Sequence, residues 1–253
     1  MLFNYSIETA RYPSSLKLAK VVALHKKKSI FLPENYRPIS LLSCIDKIFE
    51  KLLHTRFIKF IEKHKIIILN QYGFLKKHST GFALIDVVDN IRNAIEKGEY
   101  ALGIYLDLKK AFDTVNHKIL LSKLDHYGFR GHVNKFIQSY LSDRKQFTIV
   151  NNVPSNTRSI NMGVPQGSVL GPLFFLIYIN DITNCIVNDK TTLFADDTSI
   201  LYKDKNLTVL KQKAEEGMVN VYDWLLSNKL SLSWEKTFFM IYHSPHKRIT
   251  DFD

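Results

Sequence analysis

The pattern of apolar and polar positions predicts both strands and helices along the whole chain. Apolar runs of strand length predict strands at residues 16–24, 100–108, 146–150, 159–160, 192–194, 199–202, 230–233 and 238–242. Apolar residues at the helical period predict helices at residues 79–97, 113–127, 132–141, 173–182 and 207–227, besides a helix that Ser43 opens with a capping-box sequence. A loop containing Pro33 and Pro38 precedes that helix. These elements indicate an α+β fold, with a largely antiparallel sheet and helices packed on one face.

Two adjacent carboxylates, Asp196 and Asp197, interrupt the apolar pattern between the strands at 192–194 and 199–202. At the tip of a hairpin both side chains can face one cleft, and each raises the pKa of the other unless a cation neutralises them. Hard oxygen ligands favour magnesium, which keeps coordination sites for water and phosphate. A solvated turn is the alternative, because Asp is a common turn residue.

A third carboxylate, Asp107, stands near the end of the strand at 100–108, where a buried strand normally carries no charge. A charge there must be paired, hydrogen-bonded or bound to a metal. If this strand lies beside the acidic hairpin, three carboxylates converge on one edge of a sheet. Such a cluster suits two metal ions that clamp an in-line phosphoryl displacement. A helix N-cap before Lys109 is the alternative for Asp107 taken alone.

Composition narrows the class of partner. The chain has 253 residues, enough for one large domain or two small ones, and because it contains no repeat or low-complexity linker we expect one continuous globular unit. Its formal net charge of +11 and sequence pI near 9.4 indicate a polyanionic partner, either nucleic acid or an anionic membrane surface. No membrane span is predicted, because the longest apolar run, at 169–179, is short and interrupted by Gly171 and Pro172. Two cysteines, Cys44 and Cys185, exclude a disulfide framework or a thiolate zinc cluster within the chain.

Six short motifs follow one another along the chain. They are NYRPISL at 35–41, QYGF at 71–74, DLKKAFD at 107–113, GVPQGS at 163–168, FADD at 194–197 and LSLSWEKT at 230–237. In this order and spacing they resemble the reverse transcriptase domain of non-LTR retrotransposons of the LINE type, similar to jockey elements. The similarity runs from about Leu18 to Tyr242.

The resemblance implies a right-hand polymerase with an antiparallel palm sheet. The fingers would occupy about residues 1–99, the palm about 100–243 and a tail 244–253, with no thumb, endonuclease or RNase H domain in the chain. It also implies the metal site. Asp107 and Asp196 would bind two Mg²⁺ ions, or Mn²⁺ in their place, with Asp197 as the third acidic residue and the carbonyl of Leu108 as a further ligand. The primer 3′-hydroxyl would attack the α-phosphate of the incoming nucleotide.

The resemblance also assigns residues to the nucleotide. Phe112 would lie under the sugar, where its ring collides with a ribose 2′-hydroxyl and so favours deoxynucleotides. Gln166 would lie beside the nucleotide and the template, and the glycines of its loop, Gly167 among them, would let the backbone approach closely. Arg37 would bind triphosphate oxygens bidentately. Without the resemblance, a core Phe and a plain turn are the alternatives at Phe112 and at the Gln166 loop.

Lys236 matches a family lysine that protonates the leaving pyrophosphate, although a surface lysine is the ordinary interpretation. Ser233 stands where the family usually carries Asn. Asp113 is interpreted as the N-cap of the helix at 113–127, not as a metal ligand. Lys26, Lys27 and Lys28 offer further phosphate contacts, although a run of charges is more often a solvated face.

The predicted function is an RNA-directed DNA polymerase that copies an RNA template from a DNA or RNA primer with dNTPs. Such a protein would act inside the cell, in the nucleus or cytoplasm, as a ribonucleoprotein; its oligomeric state is not predicted. One alternative is an RNA-dependent RNA polymerase, which more often has a polar residue at the position of Phe112. The other is a truncated, inactive remnant that only binds nucleic acid.

Overall fold

The computed structural model describes residues 2–26, 29–150, 152–186, 189–247 and 249. Within them the helices are α1 (Leu2–Glu8), α2 (Cys44–Lys63), α3 (Thr80–Glu96), α4 (His117–His126), α5 (His132–Leu141), α6 (Leu170–Ile179) and α7 (Leu207–Ser227). The strands are β1 (Leu18–His25), β2 (Tyr36–Leu41), β3 (Tyr100–Leu106), β4 (Arg144–Val150), β5 (Val153–Pro154), β6 (Arg158–Ile160), β7 (Lys190–Phe194), β8 (Asp197–Asp204) and β9 (Phe238–Tyr242). Lys27 and Lys28 lie outside the described residues, as do residues 248 and 250–253 of the predicted tail.

The chain forms two compact units, each assembled from two segments. The first combines Met1–Ile66 with Phe112–Tyr178, and the second combines Ile67–Ala111 with Ile179–Asp253. The predicted boundary between fingers and palm, near residue 100, falls inside the second unit, between α3 and β3. The division into fingers and palm therefore stays a prediction.

The second unit contains a four-stranded sheet with the order β7-β8-β3-β9, in which every neighbouring pair is antiparallel. Helix α3 covers one face, where Ala94 packs against Ala101 and Leu201. Helix α7 covers the other, since a Cβ at Gly217 would lie 2.2 Å from the hydroxyl oxygen of Tyr202. Leu201 and Tyr202 are neighbours on β8 and therefore point to opposite faces. The antiparallel sheet agrees with the prediction, but the helices cover both faces and not one.

The first unit contains a mixed sheet with the order β2-β1-β4-β5, and β6 also pairs with β4. Strands β1 and β4 are parallel, and the other pairs are antiparallel. Strand β2 replaces the predicted loop around Pro38. Pro38 pairs with Ala23 on a strand at the end of the sheet order, a position that tolerates a missing backbone N–H.

Helix α2 begins at the predicted cap, because the Ser43 hydroxyl accepts a hydrogen bond from the backbone N–H of Asp46 at 3.1 Å. In a capping box the side chain three residues after the cap, here Asp46, would accept a hydrogen bond from the backbone N–H of Ser43. Asp46 instead makes a buried contact. The Asp46 carboxylate accepts a hydrogen bond from the Tyr12 hydroxyl and lies 3.8 Å from the guanidinium of Arg144. Among the described residues, no helix has both the length and the apolar character that a membrane crossing requires.

Candidate active site

The acidic pair lies at a two-residue turn in the second unit. Strands β7 and β8 pair as far as Phe194 and Asp197, which leaves Ala195 and Asp196 as the turn between them. Ala195 has a φ of 57°, in the left-handed region that is unfavourable for residues other than glycine. Contacts from outside the hairpin must therefore stabilise this turn.

Gln71 and Gly73 supply those contacts. The side-chain carbonyl oxygen of Gln71, a residue only 2% exposed, accepts hydrogen bonds from the backbone N–H groups of Ala195 at 2.9 Å and of Gly73 at 2.7 Å. A Cβ at Gly73 would lie 2.3 Å from the nitrogen of Ala195. The QYGF motif, which received no role from the sequence, thus holds the turn that carries the acidic pair.

Asp107 faces the acidic turn across the sheet. Strands β3 and β8 pair Leu106 with Thr198, and continuing this register by one residue places Asp107 opposite Asp197 on the same face. Residues directly opposite each other have Cβ atoms about 4.5–5.5 Å apart. Partial loss of hydration raises the pKa of Asp197, the charge of Asp107 raises it further, and Lys236 lowers it.

Lys236 contacts Asp107 directly. Its ammonium nitrogen lies 2.9 and 3.0 Å from the two carboxylate oxygens, with the Lys236 side chain 59% exposed and that of Asp107 29% exposed. The backbone brings them together, since the N–H of Ser233 donates to the carbonyl of Asp107 at 2.8 Å. This link uses a backbone group, so Ser in place of the family's usual Asn leaves it intact.

Leu108 forms an isolated antiparallel bridge with Leu232. In place of the predicted strand at 230–233, the structure has this single bridge. The hydrogen bonds of this bridge are made by the residues on either side of the pair. In such a pair the N–H and C=O groups of the central residue point away from the partner. The carbonyl of Leu108 therefore points to the edge of β3 where β8 and Asp197 lie.

The donors at this edge have the chemistry of a magnesium site, since they are carboxylates and a backbone carbonyl. Within the described ranges, however, no three His, Cys, Asp or Glu side chains gather closely enough to bind one metal ion. The structure thus shows an acidic pair, Asp107 and Asp197, with Lys236 as its counter-charge. The donor set fits a divalent cation in kind, and the role of Asp196 as a ligand stays a prediction.

Arg37, Phe112, Gln166 and Gly167 belong to the first unit. The ring of Phe112 stacks on Phe175, with centroids 4.5 Å apart and planes 23° from parallel. Phe175 is fully buried, whereas Phe112 is half-buried. A rigid neighbour therefore fixes an aromatic ring that remains partly accessible.

Gln166 lies in a loop that packs against β2. The backbone N–H of Ser40 donates to the carbonyl of Gln166 at 2.6 Å. Gly167 has a φ of +120°, and a Cβ there would lie 2.5 Å from the carbonyl oxygen of Ser40. Gly167 therefore allows a positive φ and a close approach to the protein's own backbone at Ser40. Arg37 is exposed on the same strand, three residues before Ser40.

The predicted N-cap role of Asp113 is wrong. Helix α4 begins at His117, and its N-cap is Asn116, whose side chain accepts from the N–H groups of Lys118 and Ile119. The carboxylate of Asp113 instead accepts a hydrogen bond from the side-chain amide of Gln166 at 2.8 Å. An Asp and an Asn only three residues apart are both good caps, so the local sequence does not choose between them.

Glu50 is a further residue that the sequence did not indicate. It is fully buried on α2, and its carboxylate accepts hydrogen bonds from the N–H groups of Val169 and Leu170 and from the Tyr140 hydroxyl. Burial raises the pKa of Glu50. A carboxylate is favourable at a helix N-terminus, and here it fixes the start of α6, directly after the Gln166 loop.

Comparisons with known proteins agree with the family that the motif order indicates. The sequence profile of the family described as "Reverse transcriptase (RNA-dependent DNA polymerase)" matches residues 24–250. The probable RNA-directed DNA polymerase from transposon BS of Drosophila melanogaster is 34% identical over 183 residues, which are 72% of this chain and 20% of that protein. The RNA-directed DNA polymerase from mobile element jockey of the same species has the same identity and coverage. The chain thus spans about a fifth of the length of these curated relatives.

The structure of apo telomerase from Candida tropicalis, truncated from its C-terminal domain, superimposes with a TM-score of 0.65 at 14% identity, covering 97% of this chain and 55% of that one. This likeness confirms the predicted α+β fold of a right-hand polymerase. Together with the profile match, it leads to one conclusion: the chain belongs to the reverse transcriptase family.

Proposed function

We propose that this chain is the fingers and palm of an RNA-directed DNA polymerase from a non-LTR retrotransposon. The fingers comprise about residues 1–99 and the palm about 100–243. The observation that carries the proposal is the placement of Asp107 opposite Asp197. Both lie at the edge of the sheet that carries the Ala195–Asp196 turn, which Gln71 holds by a hydrogen bond. Membership of the reverse transcriptase family supports the same activity.

In this proposal Asp107, Asp196, Asp197 and the carbonyl of Leu108 hold two magnesium ions, or manganese in their place. When bound, these ions activate the primer hydroxyl and neutralise charge on the phosphates. Repulsion between the facing carboxylates of Asp107 and Asp197 favours a cation at this edge. The Lys236 ammonium, on a long and exposed side chain, supplies a proton to the leaving pyrophosphate.

The nucleotide is selected by residues of the first unit. Phe112, whose ring is fixed by Phe175, excludes a 2′-hydroxyl by its volume. Arg37 is an exposed guanidinium with the geometry to bind triphosphate oxygens. Gln166 and Gly167 line the nucleotide from a loop whose backbone is hydrogen-bonded to β2.

The proposed partners are an RNA template, a DNA or RNA primer and dNTPs. The net charge of +11 supports a polyanionic partner, because each neutralised phosphate releases condensed counterions. As a polymerase that stays with its RNA, the protein would function in a ribonucleoprotein, in the nucleus or the cytoplasm.

Template and nucleotide choice test this proposal. The chain is given a primed RNA template, magnesium and either dNTPs or NTPs, and extension is followed by gel. We expect extension with dNTPs in strong preference to NTPs. Extension with NTPs instead would favour an RNA-dependent RNA polymerase. An absence of extension, beside salt-dependent binding of the same primed template, would favour an inactive nucleic-acid-binding remnant.

A further inference from the structure

Asp113 and Gln166 form a hydrogen bond that the established fold does not explain. The side-chain nitrogen of Gln166 lies 2.8 Å from one carboxylate oxygen of Asp113, and both residues are half-buried in the first unit. Helix capping does not account for the position of Asp113, since Asn116 caps the helix that follows.

The two partners differ in what they can offer. A carboxylate presents acceptor oxygens, whereas a glutamine amide has a donor NH₂ group at one end and an acceptor oxygen at the other. Only the NH₂ group can therefore face Asp113. The contact fixes the polarity of the amide and turns its carbonyl oxygen away from Asp113.

The backbone holds both partners in place for this contact. The N–H of Val164 donates to the carbonyl of Phe112 at 2.8 Å, and the N–H of Gly163 donates to the carbonyl of Val115 at 2.7 Å. A Cβ at Gly163 would lie 2.7 Å from the carbonyl oxygen of Asp113, so only glycine permits this approach. The segment that precedes Gln166 and the segment that contains Asp113 are thus locked together.

We propose that Asp113 is a positioning residue that fixes the orientation of the Gln166 amide, so that the amide presents its carbonyl oxygen to the incoming nucleotide. This inference rests on the proposed function, in which Gln166 contacts the nucleotide. It makes Asp113 part of nucleotide selection although Asp113 does not itself touch the nucleotide.

A set of variants that keep side-chain shape but change charge tests the proposal. Asp113→Asn keeps the shape of the side chain, but its amide can donate as well as accept. Both orientations of the Gln166 amide should therefore become populated, and the KM for dNTPs should rise about twofold with kcat unchanged. Gln166→Glu places a carboxylate against Asp113, and kcat/KM should fall about tenfold or more. The double variant, Asp113→Asn with Gln166→Glu, supplies a donor to the new carboxylate, and its kcat/KM should exceed that of Gln166→Glu alone.

Thermal unfolding provides a readout that needs no nucleotide. Gln166→Glu should lower the melting temperature through repulsion between the carboxylates, and adding Asp113→Asn should raise it again. Gln212 and Glu216 provide a matched control, because the same amide-to-carboxylate contact occurs at 2.8 Å on the exposed surface of α7. Gln212→Glu and Glu216→Gln should leave the KM for dNTPs unchanged.

Asp113→Asn thus acts with opposite sign in the two backgrounds, which tests the contact itself, whereas a rise in the KM for dNTPs at unchanged kcat is the result that a purely structural role would not produce. The inference is overturned if adding Asp113→Asn to Gln166→Glu lowers both the melting temperature and kcat/KM. It is also overturned if the addition changes them in the same direction as Asp113→Asn does in the wild-type background. If the unfolding data show the reversal but the wild-type chain extends no primer, the contact stands and the proposed polymerase function fails. If the wild type is active and no reversal occurs, the positioning role of Asp113 fails.

Discussion

The ammonium of Lys236 lies 2.9 and 3.0 Å from the two carboxylate oxygens of Asp107, although the two residues are 129 positions apart in the chain. Asp107 also faces Asp197, whose pKa it raises. Lys236 therefore supplies the counter-charge that a divalent cation would supply at the same carboxylate. A cation bound at Asp107, as proposed, would compete with this ion pair.

We predict that Lys236→Met separates cation binding from turnover. Because the competing ammonium is removed, Mn²⁺ or Mg²⁺ should bind about twofold to fivefold more tightly, in keeping with the small free energy of an exposed ion pair. Turnover should fall about a hundredfold, because the proposed proton donor to pyrophosphate is lost. Isothermal titration calorimetry measures the first effect, and single-turnover primer extension measures the second.

Lys205→Met is the matched control, since Lys205 is exposed at the opposite end of β8 from the acidic turn. It should change neither quantity. Weaker cation binding by Lys236→Met would contradict the competition between Lys236 and the cation.

Gln71 is predicted to hold the acidic turn. Gln71→Leu leaves the N–H groups of Ala195 and Gly73 without their acceptor at a buried position, and each such group costs about 1–3 kcal/mol. The melting temperature should fall, and the amide of Ala195 should exchange with solvent faster. Gln71→Glu keeps an acceptor oxygen and should be less damaging. Gln212→Leu, at an exposed position on α7, is the control, and an equal loss of stability there would argue against this role.

The sequence predicted elements best where a local signal marks both ends. Helices α5 and α7 have the predicted bounds because apolar residues keep the helical period throughout. Strand β2 was missed because Pro38 suggested a loop, and only the sheet order, with β2 at its end, shows that Pro38 lies on an edge strand.

The candidate site was predicted in part. Motif order and the charge at the end of a buried strand pointed to Asp107, Asp196 and Asp197, and the strand register places Asp107 opposite Asp197. Their role as metal ligands stays a prediction. The supporting contacts join distant residues. Gln71 is 124 positions from Ala195 and Asp113 is 53 positions from Gln166, so no local pattern indicates them. The two helix-covered faces of the sheet likewise depend on tertiary packing.

Phe112→Val should admit ribonucleotides. Removing the ring that stacks on Phe175 leaves space for a 2′-hydroxyl, and the ratio of dNTP to NTP incorporation should fall about tenfold or more. Competing dNTP and NTP in one primer-extension reaction measures this ratio. Phe31→Val is the control, because Phe31 is 86% exposed in the same unit and should leave the ratio unchanged. An unchanged ratio in Phe112→Val would count against a steric role for this ring.

His117 should make stability depend on pH. Burial lowers the pKa of His117, the charge of Arg144 lowers it further, and a hydrogen bond to the carbonyl of Gly163 opposes both. The unfolded chain therefore takes up a proton first, so the free energy of unfolding should decrease as pH falls below about 6.5, the ordinary histidine value. The decrease should end below the folded-state pKa.

Denaturant titrations between pH 7.5 and pH 5 measure this dependence. His117→Gln should show a flatter profile than the wild type, whereas His246→Gln, at an exposed position, should follow the wild type. Parallel profiles for His117→Gln and the wild type would contradict the assignment to His117.

The most direct test of the proposed metal-dependent acidic site is primer extension by the wild type beside Asp107→Asn and Asp196→Asn, each with magnesium. We predict that the wild type extends a primed RNA template, and that each variant loses at least about a hundredfold in rate while keeping its fold and its salt-dependent binding of the template. Asp223→Asn, at an exposed position on α7, should extend at the wild-type rate. Extension at the wild-type rate by Asp107→Asn or Asp196→Asn would contradict the account.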